Sequence, residues 1–402
     1  MTIARTRRRG ASTIAAAAAL LVSLTGCGIL PGTGDDIPDD LRLSPSGDAG
    51  AWMHDGYAAG IAGEWARGDM ICGITPDGIA IHADTSEVTT RLTATDVRTD
   101  EDLWELATET EGGTTCGRVL GDRMYVFETE QGADGIDRSQ IARVDLATGE
   151  RTTIYRADIK IMLFDAFAHR GETAYVVASA DVGSVLLALD GEREITWQAP
   201  MSATTQCHLI DAHIACADIT GPYTVLDADT GEVRTEGTVE EANGDPVAWA
   251  SDGFALTTDR VSFTEATYTG YAFDGTETGA LDNGRASFMP GPFQGVLYPL
   301  ADFDAWTVQS VDAAGTPVTR LPTGFGSEDE IIATGATVPG TLEALSADGR
   351  TFVYSEYGTN TKLIDAEGTE IAALGDTFQL QVMGGFLVVD QSMSPRVLLP
   401  AG

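Results

Sequence analysis

Apolar residues in this chain come in short runs, and each run is entered through a tight polar turn. Residues 124–127 (MYVF) follow Gly121-Asp122, and residues 173–178 (TAYVVA) follow Arg170-Gly171. Residues 254–258 (FALTT) follow Asp252-Gly253, and residues 296–300 (VLYPL) follow Gln294-Gly295. Residues 351–355 (TFVYS) follow Asp348-Gly349, and residues 386–389 (FLVV) follow Gly384-Gly385. Asp77-Gly78 and Asp211-Ala212 open two further runs. Such runs are too short for helices. Rich in β-branched and aromatic residues and bounded by turn formers, they predict strands joined as antiparallel hairpins.

A second register runs between the hairpins. Turns led by aspartate begin at Asp96, Asp145, Asp190, Asp227, Asp274, Asp312 and Asp365, and two, at Asp145 and Asp227, read Asp-x-x-Thr-Gly. Their successive spacings are 49, 45, 37, 47, 38 and 53 residues. One four-stranded propeller blade takes ~40–50 residues. The expected fold is therefore all-β, a β-propeller of four-stranded blades. Eight blades fit the hairpins best, with seven as the alternative. After the eighth hairpin only residues 395–400 (PRVLLP) remain, enough for one strand, so the last blade lacks its outer strand. Residues 51–65 are expected to supply it and so close the ring without a free sheet edge.

The residues after Asp96 and Asp145 resemble the quinoprotein-type propeller repeat, whose blades end in Asp-Ala-x-Thr-Gly-x-x-x-Trp. Trp104 and Trp197 stand where that pattern has its tryptophan, and the later copies lack it. Residues 345–355 (LSADGRTFVYS) resemble the Ser-x-Asp-Gly hairpin of the periplasmic propeller of the Tol system. Both resemblances imply a propeller. The quinone cofactor of such dehydrogenases usually sits beside a ring formed by two adjacent cysteines. This chain has no Cys-Cys pair, so no cofactor is expected.

The N-terminus adds a different signal. Arg5, Arg7, Arg8 and Arg9 precede an apolar stretch at residues 14–24 that is too short to span a bilayer and suited to a signal peptide. It runs into Leu24-Thr25-Gly26-Cys27, which resembles the bacterial lipobox. The resemblance implies cleavage after residue 26 and acylation of Cys27. The expected organisation is a lipoprotein signal peptide at 1–26, a Gly/Pro/Asp-rich flexible tether at 27–50 and a propeller at 51–402. The protein would then sit at the extracytoplasmic face of the cell membrane, held there by its lipid. No later stretch is long and apolar enough to predict a spanning helix.

The 402 residues carry a net charge of −37, and removal of the first 26 residues with their four arginines takes it to −41. Such a surface repels phosphate backbones and excludes nucleic acid as a partner.

With Cys27 acylated, four cysteines remain, and export permits disulfides. Cys207 and Cys216 flank the Asp211-Ala212 turn, and counting outward places them opposite each other. Cys72 and Cys116 each lie five residues before their hairpin turns, equivalent places in adjacent blades, and a second disulfide is expected there. The rival, a metal site from Cys207, His208, His213 and Cys216, is disfavoured because alternation puts His208 on the face opposite the cysteines.

Catalytic motifs are lacking. His54, His82, His169, His208 and His213 form no metal-binding pattern and read as loop or surface histidines. The Asp-Gly turns and residues 132–137 (GADGID) lack the spaced ligands of a calcium loop and read as turns. No catalytic, cofactor or metal residue is assigned. The expected function is a binding or scaffolding module for an envelope protein or a small ligand. Two other readings stand beside it. One is a propeller enzyme, a glycan hydrolase or lyase or a quinone-linked dehydrogenase, marked by Asp, Arg and Trp gathered at one channel mouth. The other is a structural role in envelope assembly.

Overall fold

The structure is a computed structural model. It describes residues 52–402 apart from 68–69, 85–90, 108–113, 121–122, 132–136, 158–162, 171–172, 181–182, 190–194, 202–204, 219–220, 240–246, 263–264, 282–299, 302–307, 315, 321–327, 357–358, 377–378 and 391–394. The expected signal peptide, Cys27 and the tether lie outside the described residues.

Among the described residues, thirty-two strands form eight antiparallel sheets of four strands each. Seven sheets are consecutive in sequence and span residues 70–107, 114–157, 163–201, 205–238, 247–281, 308–339 and 341–375 (blades 1 to 7). Blade 8 takes three strands from residues 379–400 and its outer strand, Ile61–Trp65, from the N-terminal side, where it pairs with Pro395–Pro400. The ring thus closes as the count of strands requires.

Among the described residues, seven apolar clusters fill junctions between successive blades. Ile81 and Leu92 of blade 1 pack with Val126 and Val144 of blade 2. Tyr175 and Trp197 of blade 3 pack with Ile214 and Leu226 of blade 4. Phe386 and Val388 of blade 8 pack with Ile74 and Ala80 of blade 1, which completes the circle. Between blades 5 and 6 the described contact is Leu300, whose Cδ1 lies against Gly253 and whose backbone N–H donates to Asp252 at 2.8 Å. Each blade is a twisted sheet that cannot bury both faces alone, so the core exists only as blade-to-blade contact.

In blade 6 part of the expected register lies outside the described residues. The hairpin turn Gln294-Gly295 lies outside the described residues, and Leu300 belongs to a 3-10 turn. The Asp312 turn joins the first two described strands of its sheet, Val308–Val311 and Pro317–Arg320. In blades 1, 2, 4, 5 and 7 the aspartate turn joins the third and fourth. The 53 residues from Asp312 to Asp365 are the longest interval, and they include the hairpin of Glu328–Ile331 with Ala336–Pro339.

A buried carboxyl marks the junction of blades 6 and 7. Asp329 is 2% exposed, and its Oδ2 has no hydrogen-bond partner among the described residues. Burial pushes this carboxyl up to about 6, and the Tyr354 hydroxyl of blade 7 pulls in the other direction. The folded state therefore holds the proton more tightly than the unfolded chain. The stability that this proton contributes is complete below the ordinary carboxylate value and is lost as pH rises through about 6. The expected loss is about 3 kcal/mol. Asp329→Asn should flatten the pH dependence of the denaturation midpoint between pH 4 and pH 7. An unchanged slope in that variant would refute the assignment.

Candidate functional site: the turn face

In an antiparallel meander the first-to-second and third-to-fourth connections lie at one end of every blade, and the remaining connections lie at the other. The first end forms a face of short turns. Connections at the opposite end, Gly340 excepted, lie wholly or partly outside the described residues.

The turn face is built by the aspartates. Asp145 Oδ1 accepts from the backbone N–H of Ala147 and Thr148 and from the Thr148 hydroxyl at 2.8–3.0 Å. Asp227 repeats this with Asp229 and Thr230 at 3.0–3.1 Å. Asp96, Asp312 and Asp365 hold their turns in the same way. The Asp-x-x-Thr-Gly sequence forms this loop because the side-chain oxygen replaces the backbone acceptor the turn lacks, and the glycine takes a positive φ, +72° at Gly149 and +69° at Gly231. These carboxylates are engaged in turn geometry. Arg234 holds Asp227 down to about 2, with the Thr230 hydrogen bonds adding to the effect.

Three of these turns are also docking platforms for the preceding blade. Trp104, on the outer strand of blade 1, donates its indole N–H to Leu146 O of the blade 2 turn at 2.9 Å and covers Gly149. Trp197 of blade 3 donates to Ala228 O of blade 4 at 3.0 Å and covers Gly231. The carbonyl in both cases belongs to the residue after the aspartate. Thr334 of blade 6 does the same to Ala366 O of blade 7 at 2.6 Å. The sequence points to the two tryptophans. Nothing in it points to Thr334, because a threonine in a polar turn has no distinguishing pattern.

A strap crosses this face. Met53 N–H donates to Leu345 O of blade 7, and Ala347 N–H donates back to Met53 O. His54 N–H donates to Gly385 O of blade 8 at 2.8 Å. A 3-10 turn, Asp55–Ala59, then carries Tyr57 into blade 8, where it is fully buried. The Tyr57 hydroxyl accepts from Leu387 N–H at 3.0 Å and donates to Leu398 O, standing between two residues that face each other on neighbouring strands. Burial pushes this phenol well above its ordinary value, so it stays a donor.

The junction of blades 8 and 1 carries a polar chain. His82 Nε2 donates to Thr95 Oγ1 at 3.0 Å, since that hydroxyl itself donates to Asp102 at 2.8 Å. Arg67 pairs with Asp102 at 2.6 Å and with Asp100 at 2.7 Å, and Trp65 donates to Asp100 at 2.9 Å. Burial pulls the His82 imidazole below its ordinary value, which keeps it neutral. The sequence expectation for this histidine is corrected: His82 lies within a strand and is 8% exposed, because the Trp65 ring closes over it. His208 and His213 also lie in strands, and His213 stacks on Phe273 at 4.5 Å. Trp65 and Asp102 sit on the outer strands of blades 8 and 1, with Arg67 just past the first and Asp100 in the turn leading into the second, so the group lies at the outer edge, away from any channel mouth.

Cys207 and Cys216 face each other in the first hairpin of blade 4 and are joined by a disulfide, with Cα atoms 4.1 Å apart. His208 pairs with Ala215 beside them. Cys72 is also disulfide-bonded. The Cys116 side chain, the His169 side chain and residues 132–136 lie outside the described ones. Among the described residues no group of three His, Cys, Asp or Glu side chains is placed to hold a metal ion. Also among them, no helix is long and apolar enough to cross a membrane. The Cys207–Cys216 link closes a short loop, and its loss through Cys216→Ser is expected to cost roughly 2–3 kcal/mol. Guanidinium denaturation of the variant checks this, and a midpoint equal to the parent would contradict it.

A closed ring of eight four-stranded antiparallel blades defines this chain as a β-propeller. No family model and no curated protein matches it. Solved structures do. BamB from Moraxella catarrhalis aligns with 81% of this chain and 81% of its own at 13% identity, with a TM-score of 0.36. The Cps50 (Swd1) β-propeller domain of Myceliophteria thermophila aligns over 84% and 98% at 12% identity, with a TM-score of 0.39. A eukaryotic initiation factor aligns over 84% and 90% at 12% identity, with a TM-score of 0.44.

Proposed function

We propose that the protein is a lipid-anchored β-propeller that acts as a binding or scaffolding module for a protein of the bacterial envelope, held at the extracytoplasmic face of the cell membrane. The observation that carries the binding role is the braced ring. Turn aspartates, docking side chains and the strap are satisfied by one another. A rigid, preformed surface of this kind loses little entropy on binding. The Asp–Arg–Trp group that would favour an enzyme stands on the outer wall instead of a channel mouth. The anchor rests on the basic stretch, the apolar residues 14–24 and Leu24-Thr25-Gly26-Cys27. Export fits the Cys207–Cys216 disulfide. Within this reading Cys72 pairs with Cys116, since their strands, Met70–Ile74 and Thr114–Leu120, are the first strands of adjacent blades and pack together.

Proximity labelling from the anchored protein in living cells tests the binding role. A small reproducible set of envelope proteins is expected. Labelling no different from an unrelated lipoprotein, together with turnover of a substrate by the purified protein, would overturn it. Radioactive fatty acid tests the anchor: label on the wild type and none on Cys27→Ala is expected, and label on both or neither would refute it.

A further inference from the structure

Resting on the proposed anchor, we infer that the turn face is the membrane-proximal face of the propeller and that the opposite end of the ring points away from the bilayer. The first described residues join the ring on that face. Met53 bonds to Leu345 and Ala347, which flank the start of the first hairpin turn of blade 7. His54 bonds to Gly385, in the first hairpin turn of blade 8. First strands line the inner edge of a closed ring, so the chain enters the fold on the turn face, near the channel mouth.

The entry point is fixed. Met53 and Tyr57 are both fully buried, Asp348 N–H donates to Asp55 at 3.0 Å, and Gly402 N–H donates to Gly56 O at 3.2 Å. The strap therefore cannot swing round to the other end without breaking blade 8.

Lengths then decide the orientation. The 24-residue tether expected from the sequence at residues 27–50 would, as a flexible Gly-rich linker, have a root-mean-square span of about 25–30 Å. Holding the opposite end against the membrane would require it to run outward across a four-stranded blade, ~15 Å, and then down the outer wall. An eight-residue strand such as Thr173–Ala180 adds about 26 Å to that path. Spanning ~40 Å with such a coil is disfavoured on the order of tenfold or more against leaving directly from the turn face. The turn carboxylates repel anionic headgroups only within ~8–10 Å. That is shorter than the tether's reach, so the repulsion sets a standoff and does not invert the domain.

The test uses the full acylated protein in phosphatidylethanolamine–phosphatidylglycerol vesicles that carry a headgroup nitroxide quencher. One fluorophore is placed at Asp229→Cys on the turn face, where the native side chain is 70% exposed. Another is placed at Arg91→Cys at the opposite end, where it is 52% exposed. Quenching several-fold stronger at position 229 is expected, and a 40-residue Gly/Ser insertion after Gly50 should bring the two towards equality. Equal quenching without the insertion, or stronger quenching at 91, overturns the orientation while leaving the anchor intact. Failure to float with vesicles overturns the anchor and the orientation together. A difference that survives the insertion shows that surface contact, and not the tether, sets the orientation, and it overturns this inference.

Discussion

Trp197→Ala is expected to destabilise the ring by about 3–5 kcal/mol, the range for removing a buried aromatic side chain. Trp197 is 9% exposed and packs in the cluster that joins blades 3 and 4. Most of this loss is packing. Its indole N–H bonds Ala228 O, but the Tyr175 hydroxyl donates to the same carbonyl at 3.1 Å and keeps it satisfied. Trp197→Phe should therefore cost well under half as much. The partner position behaves conversely. Gly231 has φ +69°, and a Cβ there would stand 2.5 Å from Trp197 Cδ2. Gly231→Ala combines left-handed backbone strain with a clash, so about 3 kcal/mol is expected. The double variant should lose less than the sum of the two, since removing the indole relieves the clash. Guanidinium denaturation measures all four proteins, and strictly additive losses would refute the docking account.

Tyr57→Phe is expected to cost about 2–4 kcal/mol, an unusually large effect for removing one hydroxyl. The reason is position. Leu387 and Leu398 are opposite each other on adjacent strands and both are buried, and the Tyr57 hydroxyl serves the amide of one and the carbonyl of the other. Its removal strands both groups away from water at about 1–3 kcal/mol each. Hydrogen exchange at the Leu387 amide should accelerate more than at amides of blades 2 and 3. Tyr57→Ala should add a cavity and loosen the closure at the Ile61–Trp65 strand. Phenylalanine tolerated within about 0.5 kcal/mol would mean the bridge does not exist in solution.

These two sites differ in how far the sequence reveals them. Trp197 and its turn are recognisable because Asp-x-x-Thr-Gly closes on itself within five residues, and tryptophans follow Asp96 and Asp190 at eight and seven residues. Tyr57 is invisible, since its partners stand 330 and 341 residues away and nothing local marks it. His82 shows the same limit. Its hydrogen bond to Thr95 follows from hairpin pairing, but its burial depends on Trp65, which arrives from the far end of the ring.

The sequence by itself determined the strands, the tight turns, the order of hairpins, the facing of Cys207 and Cys216 and the need for an N-terminal strand to finish the last blade. All of these follow from alternation, turn chemistry and counting, which act over a few residues or around one turn. The tertiary structure alone decided the choice of Thr334 over a tryptophan, the burial of His82 and Asp329 and the bridging hydroxyl of Tyr57. The physical reason is closure. A blade's faces are buried only by its neighbours, and which side chain meets which carbonyl is settled when the eighth blade meets the first.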